Sequence, residues 1–353
     1  MTTAHRTLTA DLRARIEEVA GTPALDDTLL RLAARYAVLA PSSHNSQPWR
    51  FHVRDGSLTL LGDRSRALPV VDPHDRALVI SCGAALEHLR LALRRFGRAP
   101  IVERLAELSG ARSIETSTEG LAVVRLGETI SPTDDDVALC EAIERRRTNR
   151  GPFESRPVPL PSLVALRDAV EQEGAWLVPL QEPARRHAIA TLIAEGDHVQ
   201  WHDPAFREEL ARWMRPNAET NVDGIPGFAL GMNDLAARLG PWVVRTFDRG
   251  DGTAAHDAEL AEGAPLLAVL GTHGDHPRDW LTAGEALARM LLRATTLGLA
   301  ASFLNQPIEV AALRPKVREL VGIDGAPQLI VRLGYPTSAA RATPRRAVED
   351  VLI

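Results

Sequence analysis

The sequence predicts an α+β fold in which one αβ unit is used twice within a single chain, the second copy carrying a long insertion. Three observations carry that expectation. A helix-patterned stretch, Ser81 to Gly97 (SCGAALEHLRLALRRFG), aligns without gaps to Thr282 to Gly298 (TAGEALARMLLRATTLG) at an offset of 201 residues. The tetrapeptide VRLG occurs at Val124 to Gly127 and again at Val331 to Gly334, an offset of 207. At 353 residues the chain is too long for one average domain and short for three, which suits two intimate halves.

The first half is expected over residues 1–140. It opens on polar Met1 to Ala10 and charged Asp11 to Glu18, with no apolar stretch of signal-peptide type, so the expected location is the cytoplasm. Leu29 to Leu39 has a helical pattern, matched loosely by Ser162 to Val170. The loop Ala40 to Phe51 (APSSHNSQPWRF) follows and leads into an expected strand at Phe51 to Val53. Leu58 to Gly62 (LTLLG) resembles Leu267 to Gly271 (LAVLG). In the shared helix, Gly83, Ala85, Leu86, Leu91 and Gly97 recur as Gly284, Ala286, Leu287, Leu292 and Gly298. Both copies end on a glycine suited to a left-handed C-cap, and each VRLG is a short strand after its helix. The order helix, strand, strand, helix, strand therefore recurs. The second half, 141–353, is interrupted from about 187 to 264 by a segment with no counterpart in the first. That segment holds an amphipathic stretch, Pro204 to Met214, and the Gly/Pro-rich Asn221 to Gly231, which reads as a turn-rich loop. An insertion of this length is more often functional than decorative, and it is expected to act as a lid.

Composition removes several classes of function. Apolar residues make up 45% and charged residues 25%, and no run approaches the roughly 18 apolar residues of a membrane span. Net charge is −5 with no basic stripe, so a nucleic-acid partner is not expected. Cys82 and Cys140 cannot build a disulfide framework and read as small buried hydrophobes. Lys316 is the single lysine against 40 arginines, so an arginine here needs positional support before it means anything. His198 and His202 are spaced i, i+4, and His273 and His276 flank a turn, but no cysteine or H-E-x-x-H pattern joins them and no metal is expected. No Gly-x-Gly opens a strand-to-helix turn, which argues against a Rossmann domain. Trp49, Trp176 and Trp242 read as core or lid packing, and no Ser/His/Asp triad can be placed.

Three short segments carry candidate chemistry. The Ala40 to Phe51 loop presents small hydroxyl and amide groups that suit an anionic or polar ligand, or simply make a turn. Glu144 to Phe153 (ERRRTNRGPF) places Arg146, Thr148 and Arg150 at i, i+2 and i+4, on one face if extended. Guanidiniums match phosphate oxygens, although a solvated cluster has the same composition. Ala342 to Val351 (ATPRRAVEDV) brings Arg345 and Arg346, either a tail charge pair or a return to the same anion.

Together these segments resemble the nitroreductase family of FMN-dependent oxidoreductases. The residues that carry the resemblance are Arg146-Arg147-Thr148-Asn149-Arg150, the A-P-S-x-x-N-x-Q-P-W run from Ala40 to Trp49, Leu297-Gly298-Leu299 and Pro344-Arg345-Arg346. The arginine element follows the A-P-S loop here, whereas in the family it precedes it. Family members are dimers with flavin at the interface, so the resemblance implies a fused pair, similar to the Acg-like single-chain branch, with one complete flavin site. It implies that Arg146 and Arg345, with Arg346 beside it, bind the FMN phosphate, and that Thr148 binds phosphate or ribityl oxygens. It further implies that Arg150 approaches the N1/C2 edge of the flavin and that Ser42, Ser43 and Asn45 contribute from the first half. Asn305 falls where the family presents backbone donors near flavin N5. No side chain is expected to be catalytic in its own right. The implied activity passes hydride from NADPH or NADH through FMN to a nitroaromatic or quinone-like small molecule; the alternatives are an FMN store with a closed lid and a scaffold without flavin. A monomer is expected to suffice, with further dimerisation left open.

Overall fold

The computed structural model describes residues 23–105, 118–218 and 220–353. The polar N-terminus, including Met1 to Glu18, lies outside them. The chain forms two four-stranded antiparallel sheets around a pair of long central helices.

The first half contributes α1 (Pro23–Ala37), β1 (Trp49–Arg54), β2 (Ser57–Asp63), α2 (Arg76–Arg95), β3 (Arg98–Arg104) and β4 (Thr118–Thr129), with sheet order β1-β2-β4-β3. Then α3 (Asp134–Arg145) starts on a capping box, in which the Thr133 side chain accepts from the Asp136 N–H and Asp136 reaches back to the Thr133 N–H. The second half contributes α4 (Leu160–Glu171) and β5 (Trp176–Pro179). The chain then leaves the sheet over residues 180–265 as α5 (Pro183–His202), α6 (Pro204–Trp213), β6 (Met214–Arg215), β7 (Ile225–Pro226), α7 (Asp234–Thr246) and α8 (Gly250–Glu262). It returns as β8 (Leu266–Thr272), α9 (Pro277–Thr296), β9 (Ala300–Phe303), α10 (Gln306–Glu309), α11 (Arg314–Val321) and β10 (Ala326–Gly334). The second sheet has the order β5-β8-β10-β9, which is that of the first sheet position by position.

The central helices begin five residues before the sequence expectation, at Arg76 and Pro277, and end just before Gly97 and Gly298. Both glycines are left-handed, with φ of 81° and 74°. The helices cross where they are thinnest. A Cβ on Gly83 would lie 2.1 Å from the Leu281 carbonyl oxygen, and one on Gly284 would lie 2.0 Å from that of Ile80. Side chains at either position would force the helices apart. The sheets correspond in detail as well: Trp49 pairs with Gly62 and Trp176 with Gly271. The ring of Trp176 lies where a Cβ on Gly271 would stand.

Two expectations need correction. Each central helix is followed by two strands rather than one, and VRLG lies in the second of them; the sequence does not mark β3 and β9, because Arg98–Arg104 alternates weakly and Ala300–Phe303 is short. Trp242 does not pack in a core: it is 59% exposed on α7.

The sheets differ in their outer faces. Every residue of β8 is buried, because α5, α8, α10 and α11 cover the side of the second sheet away from the central helices with a core that includes Ile189, Ile193, Leu267, Val269 and Ile330. The outer edge of the first sheet stays open, with no buried residue in β3. Part of the 180–265 segment therefore serves packing, while α6, β7 and the turns around them reach over to the first half. The C-terminus crosses in the same direction. Phe51 N–H donates to the Val351 carbonyl at 2.8 Å and Ile353 N–H to the Phe51 carbonyl at 2.9 Å, so the tail extends the edge of β1.

Candidate functional site

The loop between α1 and β1 has an unusual backbone. His44, Asn45 and Gln47 all have φ near +50°, although none is glycine. Each such residue costs on the order of 1–3 kcal/mol, so the surroundings must hold them there. Ser42 Oγ accepts from Gln47 N–H at 2.9 Å, and Ser43 N–H donates to Ser81 Oγ on α2 at 3.3 Å. Gln47 Nε2 donates to the Val222 carbonyl, and its Oε1 accepts from Arg346 N–H, both at 2.9 Å. Asn45 Nδ2 donates to the carbonyls of Gly224 and Pro344, each at 3.0 Å, while its Oδ1 accepts from Arg345 at 2.9 Å. The loop thus joins three parts of the chain: the first half, the 180–265 segment and the C-terminal tail.

Beside the loop is a cavity of about 310 Å³ whose lining includes Arg146, Arg147, Thr148, Arg341, Thr343 and Arg345. Four arginines face it against one carboxylate, that of Glu144. Arg146 is 5% exposed, and neither its Nε nor that of Arg345 has a partner. Burial, and then the Arg345 and Arg147 charges, lower Arg146 to about 9; burial and Arg147 lower Arg345 to about 10. Burying like charges together with fewer acids than bases is expensive unless an anion completes the site.

The segment feeding this cavity is extended after α3. Thr148 bridges to Ala301 of β9, and Asn149 N–H donates to the Ala301 carbonyl at 2.9 Å. Arg332, the arginine of the second VRLG, is 2% exposed and donates to the carbonyls of Arg150 and Gly151 at 3.0 Å each. Its counterpart Arg125 is half-exposed and merely pairs with Glu103. Arg150, the next cation along this segment, is open to solvent. Burial, and then the Arg150 charge, push His44 down to about 4.

Of the residues singled out in the sequence, Arg146, Thr148 and Arg345 therefore meet at one cavity, with Arg150 beside His44. Asn45 stands next to Arg345, but both its amide hydrogens are committed within the protein. Ser42 and Ser43 hold the loop. Two others lie away from the cavity lining. Arg346 turns away, donating to the Asp350 carbonyl at 2.9 Å and so fastening the tail. Asn305 Oδ1 accepts from Ile330 N–H at 2.9 Å and supports β10. Sequence reasoning missed Gln47, Arg332 and His44; the last was visible inside the A-P-S motif as an ionisable residue among small polar ones.

His198 and His202 pair with Asp251 and Asp248 at 3.4 and 3.5 Å on the surface. Among the described residues, the group with metal-ligand proximity is Glu87, Glu173 and Glu285. Three arginines answer it: Arg90 reaches all three carboxylates at 2.6 to 2.9 Å, Arg289 reaches Glu87 at 2.7 Å, and Arg104 grips Glu285. Three arginines and three glutamates thus form an ionic cage between the halves, in which burial raises Glu87 to about 7. No helix among the described residues is long and apolar enough to cross a membrane.

The fold and this arginine-lined cavity define the class, and comparison with known proteins agrees: the Nitroreductase family profile matches residues 143–335. The chain belongs to the nitroreductase family. Among its relatives, "Putative NAD(P)H nitroreductase Rv3131" of Mycobacterium tuberculosis is 33% identical over 331 residues, covering 93% of this chain and 92% of the relative. "Putative NAD(P)H nitroreductase acg" of the same organism is 29% identical over 92% of this chain and 95% of the relative. Among solved structures, the FMN-dependent nitroreductase NfnB from Mycobacterium smegmatis in complex with NADPH is similar at 20% identity and a TM-score of 0.39, covering 60% of this chain and 97% of that one.

Proposed function

We propose that this chain binds one FMN, with its phosphate in the Arg146/Thr148/Arg345 cavity, and works as an NAD(P)H-dependent oxidoreductase on an electrophilic acceptor such as a nitroaromatic or quinone. The observation that carries the reading is the pair of buried guanidiniums, Arg146 and Arg345, beside a threonine hydroxyl in a cavity where arginines outnumber acids, a donor set suited to a phosphate. When bound, FMN supplies the hydride chemistry. The protein's part is to hold the phosphate through Arg146 and Arg345, to bring the Arg150 cation toward the flavin ring, where it favours the anionic reduced form, and to exclude water. The relatives' names support the NAD(P)H side of this reading.

We also read the chain as a duplicated unit standing in for a dimer. Matching sheet orders, the crossing at Gly83 and Gly284 and the paired Trp–Gly contacts support that reading. Purified protein should be yellow, and NADPH should be oxidised on addition of a nitroaromatic. A colourless protein that takes up no added FMN would overturn the proposal.

One observation favours the FMN store as a second reading. The segment 222–228 is fastened over the A-P-S loop through Val222, Gly224 and the Arg66–Asp223 pair, and Phe228 lies against Arg341 with the guanidinium carbon 4.1 Å from the ring centroid. Hydride transfer needs reacting atoms roughly 3–3.5 Å apart, which a closed cover denies to nicotinamide. Replacing Asn217 to Asn233 by a short Gly/Ser linker should speed flavin reduction by NADPH in stopped flow while FMN stays bound. A rate equal to the parent's would remove the cover as the barrier.

A further inference from the structure

The inserted helices α5 and α8 meet the first turn of α10 through polar groups that the flavin reading does not use. The approach is close: a Cβ on Gly196 of α5 would lie 2.7 Å from Gln306 Cβ and 2.9 Å from the Gln306 carbonyl carbon. Beside it, Gln306 Nε2 donates to Asp197 Oδ1 of α5 at 3.2 Å and to Asp257 Oδ2 of α8 at 2.7 Å. Both amide hydrogens are then spent. Gln306 Oε1 and Asp197 Oδ2 remain, each buried and each without a partner. Two acceptors cannot satisfy one another, and a buried acceptor left unpaired costs its full desolvation.

One proton resolves both. A neutral carboxyl offers an O–H donor as well as acceptors, so Asp197 can accept from Gln306 Nε2 at Oδ1 and donate from Oδ2 to Gln306 Oε1, closing a ring of two hydrogen bonds between an acid and a primary amide. The surroundings decide which of the two acids holds the proton. Asp197 is 2% exposed, and the charges that act on it, those of Asp257 and of Glu309 on α10, are both negative. Asp257 is faced by Arg332 of β10 and by His256 on its own helix, which favour its ionised form. Gln200, one turn along α5, is an amide and donates to Glu309 Oε2 at 2.8 Å. Burial, and then the Asp257 charge, accordingly hold Asp197 up at about 7.

We propose that Asp197 and Gln306 form a proton-held latch, in which the neutral carboxyl fastens α5 to the first turn of α10. That turn is one wall of a cavity of about 450 Å³, lined by Ile308 and Glu309 on this side and by Arg76, Leu78 and Trp280 of the central helices on the other. Opening the latch frees the wall. The closed pair keeps a proton that an opened carboxyl, with the ordinary value of 3.8, releases. Between about pH 4 and about pH 7 each unit therefore makes opening up to about tenfold easier, and above that range no more so. The wall is held more firmly in acid than at neutral pH.

Two measurements on the full chain test this. The infrared difference spectrum between about pH 5 and about pH 8 should contain the carbonyl band of a neutral carboxylic acid that is missing from Asp197→Asn. Hydrogen exchange should show the amides of Ile308, Glu309 and Val310, which donate to the carbonyls of Asn305 and Gln306, losing protection as pH rises. Corrected for the chemical rate, the loss should reach up to about tenfold per unit from about pH 5 to about pH 7 and then level off. Asp197→Asn keeps the ring closed as an amide pair at every pH and should lose most of that slope. The remainder belongs to Asp257 and Glu309, which burial also holds above the usual carboxylate range. A wild-type protection profile that is flat with pH overturns the latch whether or not the variant folds. So does a slope that the variant keeps in full, or a wild-type spectrum with no band that the variant lacks.

Discussion

Arg146 is nearly enclosed and its Nε lacks a partner, so its charge is tolerable only if something else in the site is negative. Replacing it with Ala removes charge-assisted hydrogen bonds worth about 1.5–3 kcal/mol, which predicts FMN binding weaker by roughly ten- to a hundredfold. Riboflavin, without the phosphate, should bind both proteins alike. The same change at Arg54, whose side chain is 75% exposed and pairs only with neighbouring Asp55, should do nothing measurable. Equal losses at both positions in a fluorescence titration would mean the phosphate site is elsewhere. Asp197 makes a separate case. It is 2% exposed on α5, burial and then the Asp257 charge raise it to about 7, and its Oδ2 finds no donor. The folded chain thus keeps a proton that the unfolded chain releases, so stability falls as pH rises from about 4 to about 7. Asp197→Asn keeps an acceptor for Gln306 Nε2 and should melt higher than the wild type at pH 8, by roughly 2–4 °C for each kcal/mol recovered, with no gain near pH 4.5. A melting difference independent of pH would show that the ionised carboxyl is not what destabilises this region.

At the scale of elements, the α2/α9 crossing organises the rest. Neither helix can carry a side chain at its contact point, since the clash is with backbone carbonyls that no rotamer change relieves. Gly83→Ala should destabilise the fold by about 1–3 kcal/mol or more, read as a shift of the urea midpoint. An unshifted midpoint would mean the helices separate at little cost. These glycines and the left-handed Gly97 and Gly298 were legible in the sequence because what they encode is local to one helix, and gapless repetition exposed it. Strands β3 and β9 were not legible, since their pairing is decided by distant β4 and β10 rather than by their own pattern. The covering segment was half legible. Its Gly/Pro run marked the turns that reach the A-P-S loop, whereas the role of α5 and α8 in packing the second sheet depends on a face that only the folded sheet presents.

The whole molecule places its site between its halves: Arg146 and Thr148 come from the start of the second, Ser42 to Gln47 from the first, and Arg345 from a tail that crosses back. The motif residues could be found in sequence because each short run is contiguous. Arg332, which orients the arginine segment from more than 180 residues away, could not, because its meaning lies in contacts rather than in neighbours. The first half lacks an arginine element like Arg146 to Arg150 before its A-P-S loop among residues 29–39, so one set of phosphate-binding residues is expected per chain. We therefore expect one flavin site per chain, completed within that chain. Releasing the flavin from a known amount of protein, with the particle's mass determined by sedimentation on the same sample, tests it most directly. The account predicts one FMN per chain, retained by a monomer on dilution; two FMN per chain, or a dimer that loses its flavin as it dissociates, would contradict it.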